Sequence, residues 1–467
     1  MARPNIVLFM PDQLRADAVG CFGGNAKTPN IDALAARGAR FTNAFSQHSV
    51  CSPSRVSMFT GWYPHVRGHR TLTHLIQPSE PNLLRLFREA GYHVAWAGRR
   101  GDTYAKAAQE LAIDRYGFAV RPGRNHFDPT PREDAWARAH FHGLRVAEGP
   151  VLDFDEAATQ TAEAWLAEGL PEPWVLFVAQ IFPHVPFEVE EPWYSLHERA
   201  AMPLPATTDI ARKPAFMRRM RERTRLDRLT DDDWRELRAV YAGMISRVDS
   251  QLGRVLAAVE KAGAAERTLT LFFTDHGEYA GDFGLVEKWP SGLDECLLRN
   301  PLVVAGPGVA EGVTSEAMVE MLDLVPTLAE VCGLTLGHTQ FGRSFTPQLR
   351  GEAAPHKAAA FSEGGFTAAE EPLLERAGFP YDIKAEIQHE DPVYCGRAMS
   401  VRTPDWTYIH RLYEAPELYS RRDDPTETRN LAGDAAYADI ERGLKDQVMT
   451  WLFETSDVIP WEADPRF

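Results

Sequence analysis

The chain has 467 residues, with 50 Lys and Arg against 66 Asp and Glu, a formal charge of −16. With 44% apolar and 25% charged residues it has globular composition, which excludes a disordered chain; the acidic excess argues against nucleic acid and anionic membrane as partners. No apolar run approaches the roughly 18 residues of a membrane span.

The first apolar run, Ile6–Met10, is followed at once by Pro11-Asp12-Gln13 and reads as a strand, not as a secretion signal. A helix is expected over Asn30–Gly38 and another over Asn82–Gly91. The strand His93–Ala97 ends in Gly98-Arg99-Arg100-Gly101. A helix over Asp155–Ala167 precedes the strand Val175–Ile181, which ends in Phe182-Pro183-His184. Residues 212–228 are strongly basic and read as a solvated helix or an insertion, with a lid or a subunit contact as alternatives. A long helix, Asp232–Ala262, leads to the strand Leu269–Phe273 and its end, Thr274-Asp275-His276-Gly277. The strand Pro301–Ala305 ends in Gly306-Pro307-Gly308, and a helix is expected over Met318–Cys332. From about residue 352 the chain is richer in Pro, Glu and loops. Two β-like runs, Ala398–Arg402 and Trp406–His410, and a last helix, Asp439–Phe453, follow.

Strands alternating with helices predict an α/β fold: a large, mixed, mainly parallel sheet flanked by helices over 1–352. Residues 353–467 are expected to form a smaller C-terminal α+β subdomain with an antiparallel sheet. In such sheets ligands bind beyond the carboxyl ends of the strands. Asp12, Gln13, Arg99, His184, Asp275 and His276 all fall there. The five cysteines (Cys21, Cys51, Cys296, Cys332 and Cys395) suggest neither a disulfide framework nor a CxxC zinc pair, and the expected compartment is the cytoplasm.

The segment Cys51-Ser52-Pro53-Ser54-Arg55 is the most informative. A phosphatase-type cysteine loop needs Arg at position 57, which is Ser. The spacing that remains, Cys-x-Pro-x-Arg, resembles the sulfatase signature, in which the cysteine becomes Cα-formylglycine. Other landmarks follow in that family's order. They are Pro4-Asn5-Ile6-Val7-Leu8 before Asp12, Thr28-Pro29-Asn30-Ile31-Asp32, and Thr60-Gly61 with Pro64. Thr274-Asp275-His276-Gly277 comes next, then Lys288 and Arg299-Asn300-Pro301-Leu302. Asp323-Leu324-Val325-Pro326-Thr327 and Glu417-Leu418-Tyr419, with Asp424-Pro425, Glu427 and Asn430-Leu431, complete the set.

The resemblance implies an alkaline-phosphatase-like fold and hydrolysis of a small organic sulfate monoester to an alcohol and inorganic sulfate. It implies a formylglycine-generating maturation enzyme as a partner. A serine nucleophile would leave a stable sulfate ester, whereas an aldehyde hydrate has a second hydroxyl that helps eliminate sulfate. It also implies one divalent metal at Asp12, Gln13, Asp275, His276 and modified Cys51. Calcium suits that donor set first, with magnesium, manganese or zinc as alternatives. Arg55, Lys288 and Arg99 would contact anionic oxygens, and His184 would protonate the leaving alcohol.

The departures matter. The family commonly has two acidic residues after the first strand; here the second is Gln13, as in related phosphonate monoester hydrolases and phosphodiesterases. The family's Gly-Lys-x-His appears as Gly98-Arg99-Arg100-Gly101, so a histidine is missing and His69 or His74 are its candidate replacements. Two alternatives therefore stand: a phosphonate monoester or phosphodiester hydrolase on the same scaffold, and an inactive anion-binding relative. The alcohol portion is not spelled out in the loops 100–150, 185–230 and 360–395. Trp62, Trp193, Trp289 and Phe366 are candidates for stacking a ring or for the core. The basic segment and the C-terminal end are candidate contacts of a homo-oligomer.

Overall fold

The structure is a computed structural model and describes residues 3–98, 101–123 and 151–458. Among these residues the main sheet has nine strands: β1 (Asn5–Met10), β2 (Ala39–Phe45), β3 (His93–Ala97), β4 (Arg115–Gly117), β5 (Trp174–Ala179), β6 (Thr268–Phe273), β7 (Arg299–Ala305), β8 (Val313–Ser315) and β9 (Val319–Glu320). The spatial order is β4-β3-β5-β1-β6-β7-β2-β8, with β9 also on β2. β1 lies at the centre, parallel to β5 and β6, with Ile6 opposite Val175 and Leu269. β7 runs antiparallel to both β6 and β2, so the sheet is mixed but mainly parallel.

Every residue of β1 is buried, because helices cover both faces. The relevant helices are α1 (Pro29–Ala36), α2 (Cys51–Thr60), α3 (Leu83–Glu89), α4 (Phe154–Glu168), α5 (Ala215–Thr224), α6 (Asp231–Lys261), α7 (Leu324–Val331), α8 (Asp382–Glu390) and α9 (Ala438–Glu454). Strand alternation sends Val7 and Phe9 into one core with Ile31, Trp165 and Val248 of α1, α4 and α6. Ile6, Leu8 and Met10 enter the opposite core with Phe59, Phe87 and Leu328 of α2, α3 and α7. A second sheet, the antiparallel meander β10 (Ala360–Gly364), β11 (Ala398–Arg402), β12 (Trp406–Arg411) and β13 (Glu417–Ser420), packs with α9 in a third core, where Val401, Tyr408 and Trp451 meet Trp62 and Tyr63. No helix among the described residues is long and apolar enough to cross a membrane.

Three expectations change. Met318–Cys332 is not one helix. Val319 pairs with Ala44 in the sheet, and Asp323 caps the Glu320 backbone before α7 begins at Leu324. β2 is a strand that the sequence reading does not contain. It carries partly exposed Arg40, Thr42 and Asn43, and its register shifts between Phe41 and Ala44, which hides a period of two. The basic segment is not a solvated helix. α5 buries Phe216, Met217 and Met220, Lys213 lies 2.9 Å from Asp294 in the interior, and Arg219 and Arg223 pair with Glu390 and Glu386 of α8. Lys213, Arg219 and Arg223 are therefore paired with acidic neighbours within the chain, while Arg212, Arg218, Arg225 and Arg228 are exposed.

Candidate active site

The site lies at the carboxyl ends of β1, β5 and β6, beside the first turn of α2. Cys51 is the first residue of α2, and Val50 before it is extended. The thiol thus faces the positive end of a helix. Arg55 is one turn further on. Helical side chains lean towards the N-terminus, so its guanidinium returns to the level of Cys51. It is fully buried and donates in three directions: Nη2 to Asp12 at 2.6 Å, Nε to Asp275 at 2.8 Å and Nη1 to Asp102 at 2.8 Å.

Asp12 and Asp275 follow β1 and β6, which are hydrogen-bonded neighbours, so their carboxylates are brought side by side. Asp275 Oδ1 accepts from the backbone N–H of Gln13 at 3.1 Å and of His276 at 2.9 Å. His276 is fixed through Nδ1, which donates to the Gly277 carbonyl at 2.9 Å and leaves the Nε2 lone pair facing the cluster. That atom is 3.2 Å from Cys51 Sγ, and Cys51 Sγ is 3.7 Å from Asp12 Oδ1. Burial pushes the His276 pKa down to about 4, so the imidazole is a neutral donor at ordinary pH.

Gln13 sits at φ 64°, a left-handed conformation rare for a residue with a side chain. Its carboxamide oxygen accepts from Lys288 Nζ at 2.5 Å, and its amide nitrogen donates to Glu278. Lys288 also donates to His184 Nε2 at 2.8 Å and to Glu287 at 2.8 Å. Burial opposes the Lys288 charge, but Glu287, Cys51 and Asp12 outweigh it and raise the ammonium pKa above its usual range. Burial would likewise raise Glu287; Lys288 and Lys384 hold it well below the carboxylate range instead. Burial and the neighbouring Glu287 push Glu278 up to about 7, against the opposing pull of the Ala280 N–H, Gln13 and Lys288.

These donors fit a divalent cation. One ligand atom each from Asp12, Cys51, Asp275 and His276 lies within 4.8 Å of the others, all in buried positions. Asp12, Asp275 and Asp102 all pair with the Arg55 guanidinium, which holds the two buried carboxylates Asp12 and Asp275 side by side. Two carboxylates, an amide oxygen and an imidazole are hard-to-borderline ligands.

The structure thus brings together Asp12, Gln13, Cys51, Arg55, His184, Asp275, His276 and Lys288. Arg99 lies outside the described residues. His69 does not join the group: its Nδ1 meets the His74 carbonyl at 2.8 Å and its Nε2 meets Glu80 at 3.0 Å, both within its own loop. His74 is exposed. Trp62 and Trp289 are core residues, Trp289 stacking on Phe216 at 5.5 Å, and Phe366 is buried too. Asp102, Glu278, Glu287 and Lys384 join the site without having been singled out by the sequence. Asp102 has a readable signal, being the first acidic residue beyond the end of β3.

A family model described as Sulfatase matches residues 4–334. The chain is 27% identical to the multifunctional alkaline phosphatase superfamily protein PehA of Trinickia caryophylli, over 98% of this chain and 96% of that one. It is 26% identical to the choline-sulfatase of Rhizobium meliloti (strain 1021), over 99% of this chain and 88% of that one. Among solved structures, the phosphonate monoester hydrolase of Agrobacterium radiobacter has a TM-score of 0.77 at 24% identity, covering 97% of this chain and 96% of that one. A 2-O GAG sulfatase has a TM-score of 0.75 at 22% identity, covering 99% of this chain and 96% of its own.

Proposed function

The chain belongs to the sulfatase family, and we propose from that premise that its site hydrolyses a small organic sulfate monoester to an alcohol and inorganic sulfate. The observation that carries this reading is Cys51 at the start of α2, ringed by buried Asp12, Asp275, His276 and Arg55. After conversion by a maturation enzyme, Cys51 supplies a formylglycine whose hydrate is the nucleophile. Asp12, Gln13, Asp275 and His276 would hold the divalent metal, calcium first, which would supply positive charge beside the transferred group and a lower pKa for the attacking hydroxyl. Arg55 locks both metal carboxylates in place, and Lys288 presents its ammonium to a substrate oxygen. His184 Nδ1 is tied to the Val185 carbonyl at 2.6 Å and Nε2 accepts from Lys288. A proton for the leaving alcohol is therefore held jointly at the Lys288 Nζ–His184 Nε2 contact.

Asp275→Asn should lower the metal content of the dialysed protein at least about tenfold without unfolding it. Elemental analysis against a circular-dichroism melt is the check, and unchanged metal content removes Asp275 from the ligand set.

Gln13 favours a second reading, hydrolysis of a phosphonate monoester or phosphodiester. Such substrates are tetrahedral monoanions like a sulfate monoester, and an amide replaces one of the acidic residues common in the family. Aryl sulfate, phosphonate monoester and phosphodiester assayed in parallel should give the highest kcat/KM for the sulfate. A hundredfold preference for either phosphorus substrate, about 2.7 kcal/mol in the transition state, would overturn the first reading.

Five free cysteines support a reducing compartment, the cytoplasm. We divide the chain into a catalytic body, 1–352, and a C-terminal subdomain, 353–467. The separate second sheet supports that division.

A further inference from the structure

We propose that Glu278 is a positioning residue that fixes the orientation of Gln13 and makes an amide necessary at position 13. The inference rests on the metal-site reading above and goes beyond it, because nothing about metal ligation alone requires Glu278.

The geometry fixes the direction of each hydrogen bond. Glu278 is fully buried, and its Oε1 accepts from the backbone N–H of Ala280 at 2.9 Å and also from that of Glu287. The other oxygen, Oε2, accepts from Gln13 Nε2. On the far side of the amide, Lys288 Nζ has only protons to offer, so the atom it meets at 2.5 Å must be the oxygen of Gln13. Gln13 is thus read from both sides, as a donor towards Glu278 and an acceptor towards Lys288. Its backbone reinforces the setting. Gln13 N–H is taken by Asp275 and its carbonyl accepts from Tyr241 Oη at 2.7 Å, so its backbone is fixed and only the terminal amide can turn.

Two substitutions break this arrangement in opposite ways. In Gln13→Glu, two buried carboxylates face each other where a donor met an acceptor. In Glu278→Gln, the new amide keeps its oxygen on the two backbone N–H groups and turns its nitrogen towards Gln13. Donor then meets donor, and Gln13 must flip its own nitrogen towards Lys288 and the metal. The double variant exchanges the roles. The amide introduced at position 278 donates to the carboxylate introduced at position 13, whose second oxygen still accepts from Lys288. The pair should therefore be strongly non-additive.

The test uses the full chain, stripped with a chelator and titrated with Mn²⁺ while free Mn²⁺ is followed by electron paramagnetic resonance. Each single variant is expected to bind Mn²⁺ at least about tenfold more weakly than wild type, and the double variant to return to within about threefold. Losses that simply multiply in the double variant overturn the proposal, as does either single variant binding as well as wild type. If the single variants do not fold, melts of the metal-free proteins carry the comparison. Recovery of folding in the double variant supports the proposal, and a double variant as unstable as the singles overturns it. A wild type that takes up no Mn²⁺ overturns the metal-site reading and this inference with it; additive losses with a binding wild type overturn this inference alone.

Discussion

Cys51→Ala should leave a folded protein whose turnover is reduced about 10⁴-fold or more. The size follows from the role. Every other group at the site binds, orients or donates, and the covalent step has no substitute once the nucleophile is gone. Folding should survive, because the substitution removes one sulfur atom from a buried position, a change of about 1 kcal/mol. Steady-state rates with the preferred ester, set beside a thermal melt, separate the two effects. Activity retained by the variant would refute the nucleophile assignment. Mass spectrometry of the wild-type peptide carrying residue 51 is the companion measurement. An aldehyde is expected there, and an unmodified thiol in a host with the maturation enzyme would leave the inactive anion-binding reading standing.

The parts of this site that are readable in the sequence share a physical property. Asp12, Cys51, Arg55, Asp275 and His276 sit in short motifs directly after strands or at the start of a helix, where backbone geometry alone aims them at one place. Glu278 and Lys384, which reach the site only through contacts distant in sequence, are not readable: Glu278 meets Gln13 across 265 positions, and Lys384 meets Glu287 across 97. A glutamate in a polar turn looks the same whether it is solvated or pinned beneath a metal site. The fold divides similarly. β1, β3, β5 and β6 are short apolar runs because helices bury both of their faces. β2 is a strand only because β7 and β8 flank it; its own residues alternate poorly. The region from Met318 to Cys332 has apolar residues at helical spacing, yet sheet pairing of Val319 wins over that local preference until Asp323 can start the helix. The basic segment misleads for the converse reason: Arg219 and Arg223 look solvated until the acidic residues of α8 are placed beside them.

Arg55→Lys is the change expected to damage stability and activity together. The guanidinium offers its protons in a rigid fork, and here each arm ends on a different carboxylate: Asp12, Asp275 and Asp102. A lysine ammonium keeps the charge but is a compact group that cannot span three partners at those positions. At least one buried carboxylate loses its guanidinium contact, and breaking such a pair costs about 3–5 kcal/mol. The metal-free variant should therefore melt well below wild type, because Asp12 and Asp275 then repel each other without the fork that joins them. Added calcium should recover part of that loss, since a cation bound only by the folded state stabilises it in proportion to the logarithm of its concentration. Turnover should stay low even when calcium has restored the melt, because Arg55 also sets the carboxylates that aim the nucleophile. The pattern differs from that of Cys51→Ala, which loses rate without losing stability. An Arg55→Lys protein with wild-type melting in chelator would mean that Asp12 and Asp275 are held by other groups, and Arg55 would leave the centre of the site.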